Sequence, residues 1–128
     1  MVGLFIVSHS SSIAEGLLEL VKETAPGIPV AAVGGSPDGG LGSDHDRIYA
    51  ALESLCSPDG VVVLFDLGSS WMATDLVIEE LKLKGMENVH MVPAALVEGA
   101  FVAGVEISTG STLQGVIETL KDYSLPKA

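Results

Sequence analysis

The sequence predicts an α/β fold, a doubly wound and mainly parallel sheet of about four strands with helices on both faces. Two continuous apolar runs, residues 2–7 and 61–65, are typical of strands covered on both sides. Segments with helical periodicity alternate with the strand candidates, and no repeat or linker interrupts the alternation. With right-handed crossovers and helices on both faces, the most economical strand order is 2-1-3-4, and an extra strand at one edge is possible.

The predicted elements follow one another at short intervals along the chain. Strands are expected at residues 2–7, 30–33, 61–65 and 89–92, and helices at residues 13–24, 44–55, 70–84, 94–107 and 112–122. In the first helix Ile13, Leu17 and Val21 share a face, and acidic side chains occupy the opposite one. Ser12 and Glu15 have the spacing of a capping box, which predicts the start of this helix.

Length and charge limit the classes of protein that the sequence can encode. Its 128 residues predict one domain, over residues 1–128, and 17 acidic against 6 basic residues give a formal net charge of −11. Such a charge repels nucleic acid and anionic lipid headgroups, so we expect neither as a partner. No apolar run approaches the roughly 20 residues of a membrane span, and the first residues do not resemble a signal peptide. We therefore expect a cytoplasmic protein.

Hydrophobic residues make up 48% of the chain, more than a small monomer needs to bury, which predicts a homodimer. The segment at residues 93–108 is apolar on nearly all sides and rich in small residues such as Gly99, Ala100, Ala103 and Gly104. We expect a second copy of the chain to pack closely against this helix. Burial of the same helix within the monomer is the alternative.

The most informative residues stand where the first and third strands end. His9 follows strand 1, and Asp66 follows strand 3. In the order 2-1-3-4 these strands are neighbours about 4.8 Å apart and flank the topological switch point, where ligands bind in such sheets. The sequence therefore predicts that His9 and Asp66 meet at the mouth of the switch point.

This placement favours phosphohistidine chemistry. A carboxylate that accepts a hydrogen bond from one ring nitrogen leaves the other nitrogen with a free lone pair. Helix N-termini at the turns of residues 10–13 and 69–71 offer unpaired N–H groups that suit a phosphoryl anion. The alternative is structural, since histidines at strand ends often cap loops, and Asp66 could anchor a turn.

Other motifs carry weaker signals. The glycine-rich segment at residues 34–44 lacks the pattern of a nucleotide-binding loop, and we interpret it as a rim loop or a simple connector. Cys56 is expected to be a small buried hydrophobe, and His45 and His90 to be structural. No spacing of histidine, cysteine and carboxylate residues matches a metal site, so we expect no metal and no cofactor.

Four segments resemble, in order, the DhaM family of phosphotransferase-dependent dihydroxyacetone kinase subunits, whose domain is similar to the mannose-type EIIA domain. They read VSHSSSIAEGLLEL, GLGSDHDRI, FDLGSSWMATDLVIEEL and PAALVEGAFVAGV. The resemblance covers nearly the whole chain. The SHS-x-x-x-AEG segment and the D-x-GS turn are specific in combination, although neither is so alone. Where relatives often carry an Ile-Gly-Thr triplet, this chain has Leu41-Gly42-Ser43.

The resemblance implies a single EIIA-like phosphocarrier domain, a phosphotransferase component. His9 would accept a phosphoryl group from phospho-HPr, ultimately from phosphoenolpyruvate, and pass it to ADP bound on DhaL, which acts with DhaK on dihydroxyacetone. It further implies that Asp66 orients the imidazole and that Ser10, Gly68 and Ser69 surround the phosphate. Some DhaM proteins continue into HPr-like domains. This chain is expected to hold only the first domain and therefore to need HPr in trans.

Two other functions are also consistent with these residues. A mannose-type EIIA domain would hand the phosphoryl group to a sugar-specific EIIB protein with the same fold and the same His9. A dimeric binding module without catalysis would use His9 only to cap a loop. We also expect the substitution Asp66→Asn to slow phosphorylation and to leave the fold intact.

Overall fold

The structure is a computed structural model that describes residues 1–127. Its strands are β1 (Gly3–Ser8), β2 (Val30–Gly34), β3 (Val61–Phe65) and β4 (Val89–Val92). Its helices are α1 (Ser11–Thr24), α2 (His45–Leu55), α3 (Gly68–Lys82), α4 (Leu96–Ser108) and α5 (Leu113–Leu120), followed by a short 3-10 helix (Lys121–Tyr123). The sheet has the order β2-β1-β3-β4, and every pair is parallel. The predicted fold class and strand order are confirmed.

The sheet is covered on both faces, as the continuous apolar runs predict. Leu4 and Ile6 of β1 pack with residues of α1, α4 and α5, whereas Phe5 and Val7 pack with residues of α2 and α3. All residues of β1 and β3 are buried. These two closely packed central strands therefore hold the residues that directly follow them in fixed positions. Within residues 1–127, no helix is long and apolar enough to cross a membrane.

Three predicted helix starts are wrong by two residues. Helix α4 begins at Leu96 instead of residue 94, whereas α1 and α3, beside the switch point, begin two residues earlier than predicted. The N-cap of α1 is Ser10, whose Oγ accepts the Ile13 N–H at 3.3 Å, so Ser12 and Glu15 form no capping box. Helix α3 begins at Gly68 instead of residue 70. The shifts of α1 and α3 have one cause, because each strand turns directly into its helix and leaves almost no loop. The helix N-termini consequently lie closer to the strand ends.

The extra edge strand is reduced to a single antiparallel bridge between Ala94 and Ser124. The Ala95 N–H donates to the Tyr123 carbonyl at 2.8 Å, and the Leu125 N–H donates to the Pro93 carbonyl at 2.7 Å. Pro93 has no N–H of its own, so a longer ladder cannot form there. These bonds hold the segment after α5 against the loop between β4 and α4.

The small residues of α4 are buried inside the monomer. A Cβ atom added at Gly99 would lie 3.1 Å from the Cβ of Ala94, and one added at Gly104 would lie 3.3 Å from the Cβ of Ala25. Ala100 and Ala103 are fully buried. Close packing within one chain therefore accounts for these residues, which are not evidence for a second copy.

The homodimer stays a prediction, and α4 offers two candidate contacts. Val97 and Phe101 lie one helical turn apart and are 55% and 45% exposed. If this face forms the interface, Phe101→Lys is expected to give monomers in sedimentation velocity without loss of secondary structure. Leu83→Lys, at a 90% exposed position after α3, is the matched control and should leave the association state unchanged. An unchanged dimer in Phe101→Lys would show that this face is not the interface.

Candidate functional site

The site lies where β1 and β3 end side by side. The parallel register pairs Val7 with Phe65, so the next residues along the two strands lead to His9 and Asp66. The His9 Nδ1 atom lies 3.0 Å from Asp66 Oδ1. The side chains are 21% and 14% exposed, which keeps the imidazole accessible and most of the carboxylate covered. The structure therefore brings the two predicted residues into contact.

Asp66 accepts hydrogen bonds on both carboxylate oxygens. Oδ2 accepts from the Ser8 hydroxyl at 2.7 Å and from the His9 N–H at 2.9 Å. Oδ1 accepts from the Leu67 N–H at 2.7 Å and from the Ser70 hydroxyl at 2.9 Å. Burial raises the pKa of Asp66, but hydrogen bonds from Ser8, His9 and Ser70 outweigh it and lower the pKa to about 2. Asp66 is consequently ionised at neutral pH.

The ionised carboxylate fixes the tautomer of His9. Because Asp66 can only accept, the proton between the two groups belongs to His9 Nδ1. The Ser70 hydroxyl lies 2.9 Å from the same nitrogen and donates to Asp66, so it accepts from the ring as well. The other nitrogen, Nε2, contacts the Ser69 hydroxyl. With its proton on Nδ1, the ring presents the Nε2 lone pair toward the start of α3.

The first turn of α3 places N–H groups beside this lone pair. The N-cap, Leu67, gives no side-chain capping bond. The N–H groups of Gly68 and Ser69 have no intrahelical acceptor, since they belong to the first turn, and both residues are exposed. Unpaired N–H groups at a helix N-terminus attract anions, and the hydroxyl of Ser69 contacts Nε2. On the opposite side Ser10 caps α1, so its hydroxyl already serves the Ile13 N–H.

The rim loop approaches the histidine through its backbone. The Gly42 N–H donates to the His9 carbonyl at 2.9 Å, and the Gly35 N–H donates to the Ser8 carbonyl at 3.3 Å. Leu41, next to this contact, is 80% exposed. The loop thus fixes the main chain around His9 and presents an apolar side chain beside it.

Sequence reasoning missed three residues at the site. Ser8 and Ser70 both donate to Asp66. Ser70 stands four residues after Asp66, a spacing that could have shown that its hydroxyl faces back to the carboxylate. Lys127 donates to the Phe65 carbonyl at 2.6 Å, and no local pattern indicates that contact because 62 residues separate the two.

The other candidates lie away from this cluster. His45 bonds through Nε2 to Glu80 at 2.6 Å, which raises its pKa and ties α2 to α3. Trp71 is partly buried against the apolar cluster under α2 and α3, so it packs, whereas its neighbour Met72 is 67% exposed. Among residues 1–127, no three histidine, cysteine or carboxylate side chains lie close enough together to hold a metal ion.

The fold and this geometry correspond to a known class of phosphotransferase components. A family model described as the PTS system fructose IIA component, EIIA-man, matches residues 3–117. Since that match covers most of the sequence, the chain belongs to the EIIA-man family.

Two relatives and one solved structure match this chain over most of its length. The chain is 38% identical over 125 residues to the PTS-dependent dihydroxyacetone kinase phosphotransferase subunit DhaM of Lactococcus lactis, with 98% of each chain covered. It is 34% identical to the phosphoryl donor subunit DhaM of Escherichia coli over 91% of its own length, but it spans only 26% of that longer protein. A solved structure of EF1359, a protein of unknown function, superposes with a TM-score of 0.84 at 27% identity and covers 97% of this chain and 96% of its own. The resemblance to DhaM proteins is confirmed.

Proposed function

We propose that the protein is a phosphocarrier of a dihydroxyacetone kinase system, which holds a phosphoryl group on Nε2 of His9. The observation that carries the proposal is the bond between His9 Nδ1 and the ionised Asp66, because it leaves Nε2 as the nucleophile. The names of the relatives, phosphotransferase subunit and phosphoryl donor subunit, support the same role.

In the first step the Nε2 lone pair attacks the phosphorus atom of phospho-HPr. A new P–N bond forms as the P–N bond of the donor breaks, and the donor imidazole keeps the electron pair. The His9 ring becomes positively charged while Nδ1 keeps its proton, and Asp66 stabilises that charge across 3.0 Å. In the second step a terminal phosphate oxygen of ADP on DhaL attacks the same phosphorus, and Nε2 regains its lone pair.

Around the transferred group, the N–H groups of Gly68 and Ser69 and the Ser69 hydroxyl are placed to receive its oxygens. The hydroxyl now occupies the side of Nε2 where the phosphorus would bind. A phosphoryl group on Nε2 therefore has to displace the Ser69 hydroxyl, which then lies beside the phosphate oxygens. Ser10 would act through the N-terminus of α1, because its hydroxyl caps that helix.

The surface around His9 suits protein partners. Leu41, Leu67 and Met72 are 80%, 59% and 67% exposed. Exposed apolar side chains around an accessible nucleophile favour docking of another protein over binding of a small sugar. The net charge of −11 additionally favours partners with a basic docking face. HPr as the donor, and DhaL with bound ADP as the acceptor, are the partners we assign to this surface, with DhaK acting downstream of DhaL.

The label-transfer experiment tests both the chemistry and the acceptor. With radiolabelled phosphoenolpyruvate, enzyme I and HPr, the protein is expected to take up acid-labile, alkali-stable label. Addition of DhaL and ADP should then move the label into ATP, whereas addition of a mannose-type EIIB protein should leave it in place. His45→Ala, which removes an exposed histidine outside the site, is the matched control for His9→Ala and should be labelled like the wild type.

Three results would contradict parts of the proposal. Equal labelling of His9→Ala would show that His9 is not the acceptor. Transfer to EIIB in preference to DhaL with ADP would place the protein in sugar uptake. No labelling of the wild type under conditions that label a DhaM control would favour a binding module.

A further inference from the structure

The segment at residues 124–127 reaches the site from the far end of the chain. The backbone bonds at Pro93 and Ala95 direct it along the loop that follows β4. From there the Lys127 ammonium donates to the Phe65 carbonyl at 2.6 Å and lies 5.1 Å from the centre of the Phe65 ring. That carbonyl belongs to the peptide bond between Phe65 and Asp66. The ammonium thus lies against the backbone unit that leads into Asp66.

Positive charge is scarce in this chain, which has six lysine and arginine residues. Three lysines pair with glutamates, Lys82 with Glu79, Lys84 with Glu53 and Lys121 with Glu118. Lys22 lies in the last turn of α1, at the opposite end from His9. Arg47 donates to the Gly34 carbonyl of β2, on the far side of β1 from Asp66. Within residues 1–127, Lys127 is the basic residue placed at the end of β3 and makes no ion pair with a carboxylate.

A phosphoryl group on His9 adds negative charge beside an ionised carboxylate. The positive charge of the phosphorylated ring offsets only part of it, so without a further cation this arrangement is opposed by repulsion between like charges in a partly buried site. Burial lowers the pKa of the Lys127 ammonium, and the charge of Asp66 counteracts part of that shift. A bound phosphoryl group would favour the charged form further, so the lysine and the phosphoryl group stabilise each other.

We propose that Lys127 is a positioning residue of the phosphoryl site, whose charge offsets the negative charge that Asp66 and the phosphoryl group bring together. The segment at residues 124–127 then has a functional role, because it places this charge at the end of β3. This inference rests on the proposed function, because it requires a phosphoryl group on His9.

The test separates the charge of Lys127 from its hydrogen bond. Lys127→Gln keeps an N–H donor for the Phe65 carbonyl without the charge, Lys127→Met removes both, and Lys127→Arg keeps both. Lys121→Met, which removes an exposed lysine from the neighbouring 3-10 helix, is the matched control. The initial rate of labelling by phospho-HPr at low ionic strength is expected to fall about tenfold in the Gln and Met variants. The Arg variant and the control should stay within about twofold of the wild type.

A second measurement is insensitive to partner docking. Phosphorus NMR of the phosphorylated protein gives the pKa of the phosphoryl group itself. Loss of a nearby cation disfavours the dianion, so this pKa should rise in the Gln and Met variants and remain unchanged in the Arg variant and the control.

These experiments distinguish failure of the proposed function from failure of the inference about Lys127. If His9→Ala is labelled like the wild type, the proposed function is wrong. If the wild type is labelled on His9 and Lys127→Gln matches it in both rate and phosphoryl pKa, the inference about Lys127 is overturned and the proposed function stands. A changed pKa in the Lys121→Met control would also overturn it, since the effect would not be local.

Discussion

Replacing Asp66 with asparagine is expected to slow the phosphorylation of His9 on the order of 100-fold. The amide cannot hold the ring tautomer, because its NH₂ group can donate to Nδ1 and thereby favour a proton on Nε2. The measurement is the initial rate of label uptake from phospho-HPr. Asp75→Asn, in the same helix as Ser70 but outside the site, is the control and should react at the wild-type rate.

The structure adds an expected loss of stability to the Asp66→Asn variant, which is still expected to keep its fold. Each oxygen of Asp66 accepts a backbone N–H, from His9 on Oδ2 and from Leu67 on Oδ1. In either orientation of an asparagine, its NH₂ group faces one of these donors and leaves it unsatisfied. The free energy of unfolding should therefore fall by about 2 kcal/mol at neutral pH.

The pH dependence of this stability difference follows from the pKa of Asp66. It is lowered from its ordinary value of 3.8 to about 2, so the ionised carboxylate stabilises the fold above about pH 4. That stabilisation is lost as the pH falls toward 2, because the folded protein then also binds the proton. The gap between wild type and Asp66→Asn in urea unfolding should be widest at neutral pH and should narrow below about pH 4. A gap that widens on acidification would contradict this account.

Replacing Gly34 with alanine is expected to destabilise the protein by about 3 kcal/mol and to displace the site. A Cβ atom at this position would lie 2.3 Å from the Ser10 carbonyl oxygen and 2.9 Å from the Cβ of Ala14. Both contacts involve rigid parts of the start of α1, so the helix has to move away from β2. Because Ser10 directly follows His9, the labelling rate should fall along with the stability.

The control for this substitution lies in α1, the helix that Gly34 approaches. An added Cβ at Gly16 meets no atom within 4 Å, and the residue is exposed. Gly16→Ala should therefore raise the free energy of unfolding by about 0.8 kcal/mol, since alanine favours the helix. Urea unfolding of both variants measures the contrast. A stable, normally labelled Gly34→Ala variant would show that α1 need not approach β2 so closely.

The sequence was informative wherever neighbouring residues decide the outcome. Continuous apolar runs predicted β1 and β3, because burial on both faces excludes polar alternation. The order of the strands followed from right-handed crossovers together with helices on both faces of the sheet, and with it the meeting of His9 and Asp66. Helix starts were less accurate, since Ser10 and Ser12 are equally good caps by composition and only the sharp turn after β1 favours Ser10.

The sequence alone was thus sufficient for the architecture, the family and the two residues that meet at the candidate site, because these follow from hydrophobic periodicity, short motifs and the rules of strand connection. The surroundings of these two residues depend on the folded chain. The tertiary structure brought the Ser70 hydroxyl onto the imidazole, buried the small residues of α4 within the monomer, and laid Lys127 against the end of β3. Contacts of that kind join residues far apart in the chain and depend on shape and distance, which the order of residues alone does not reveal.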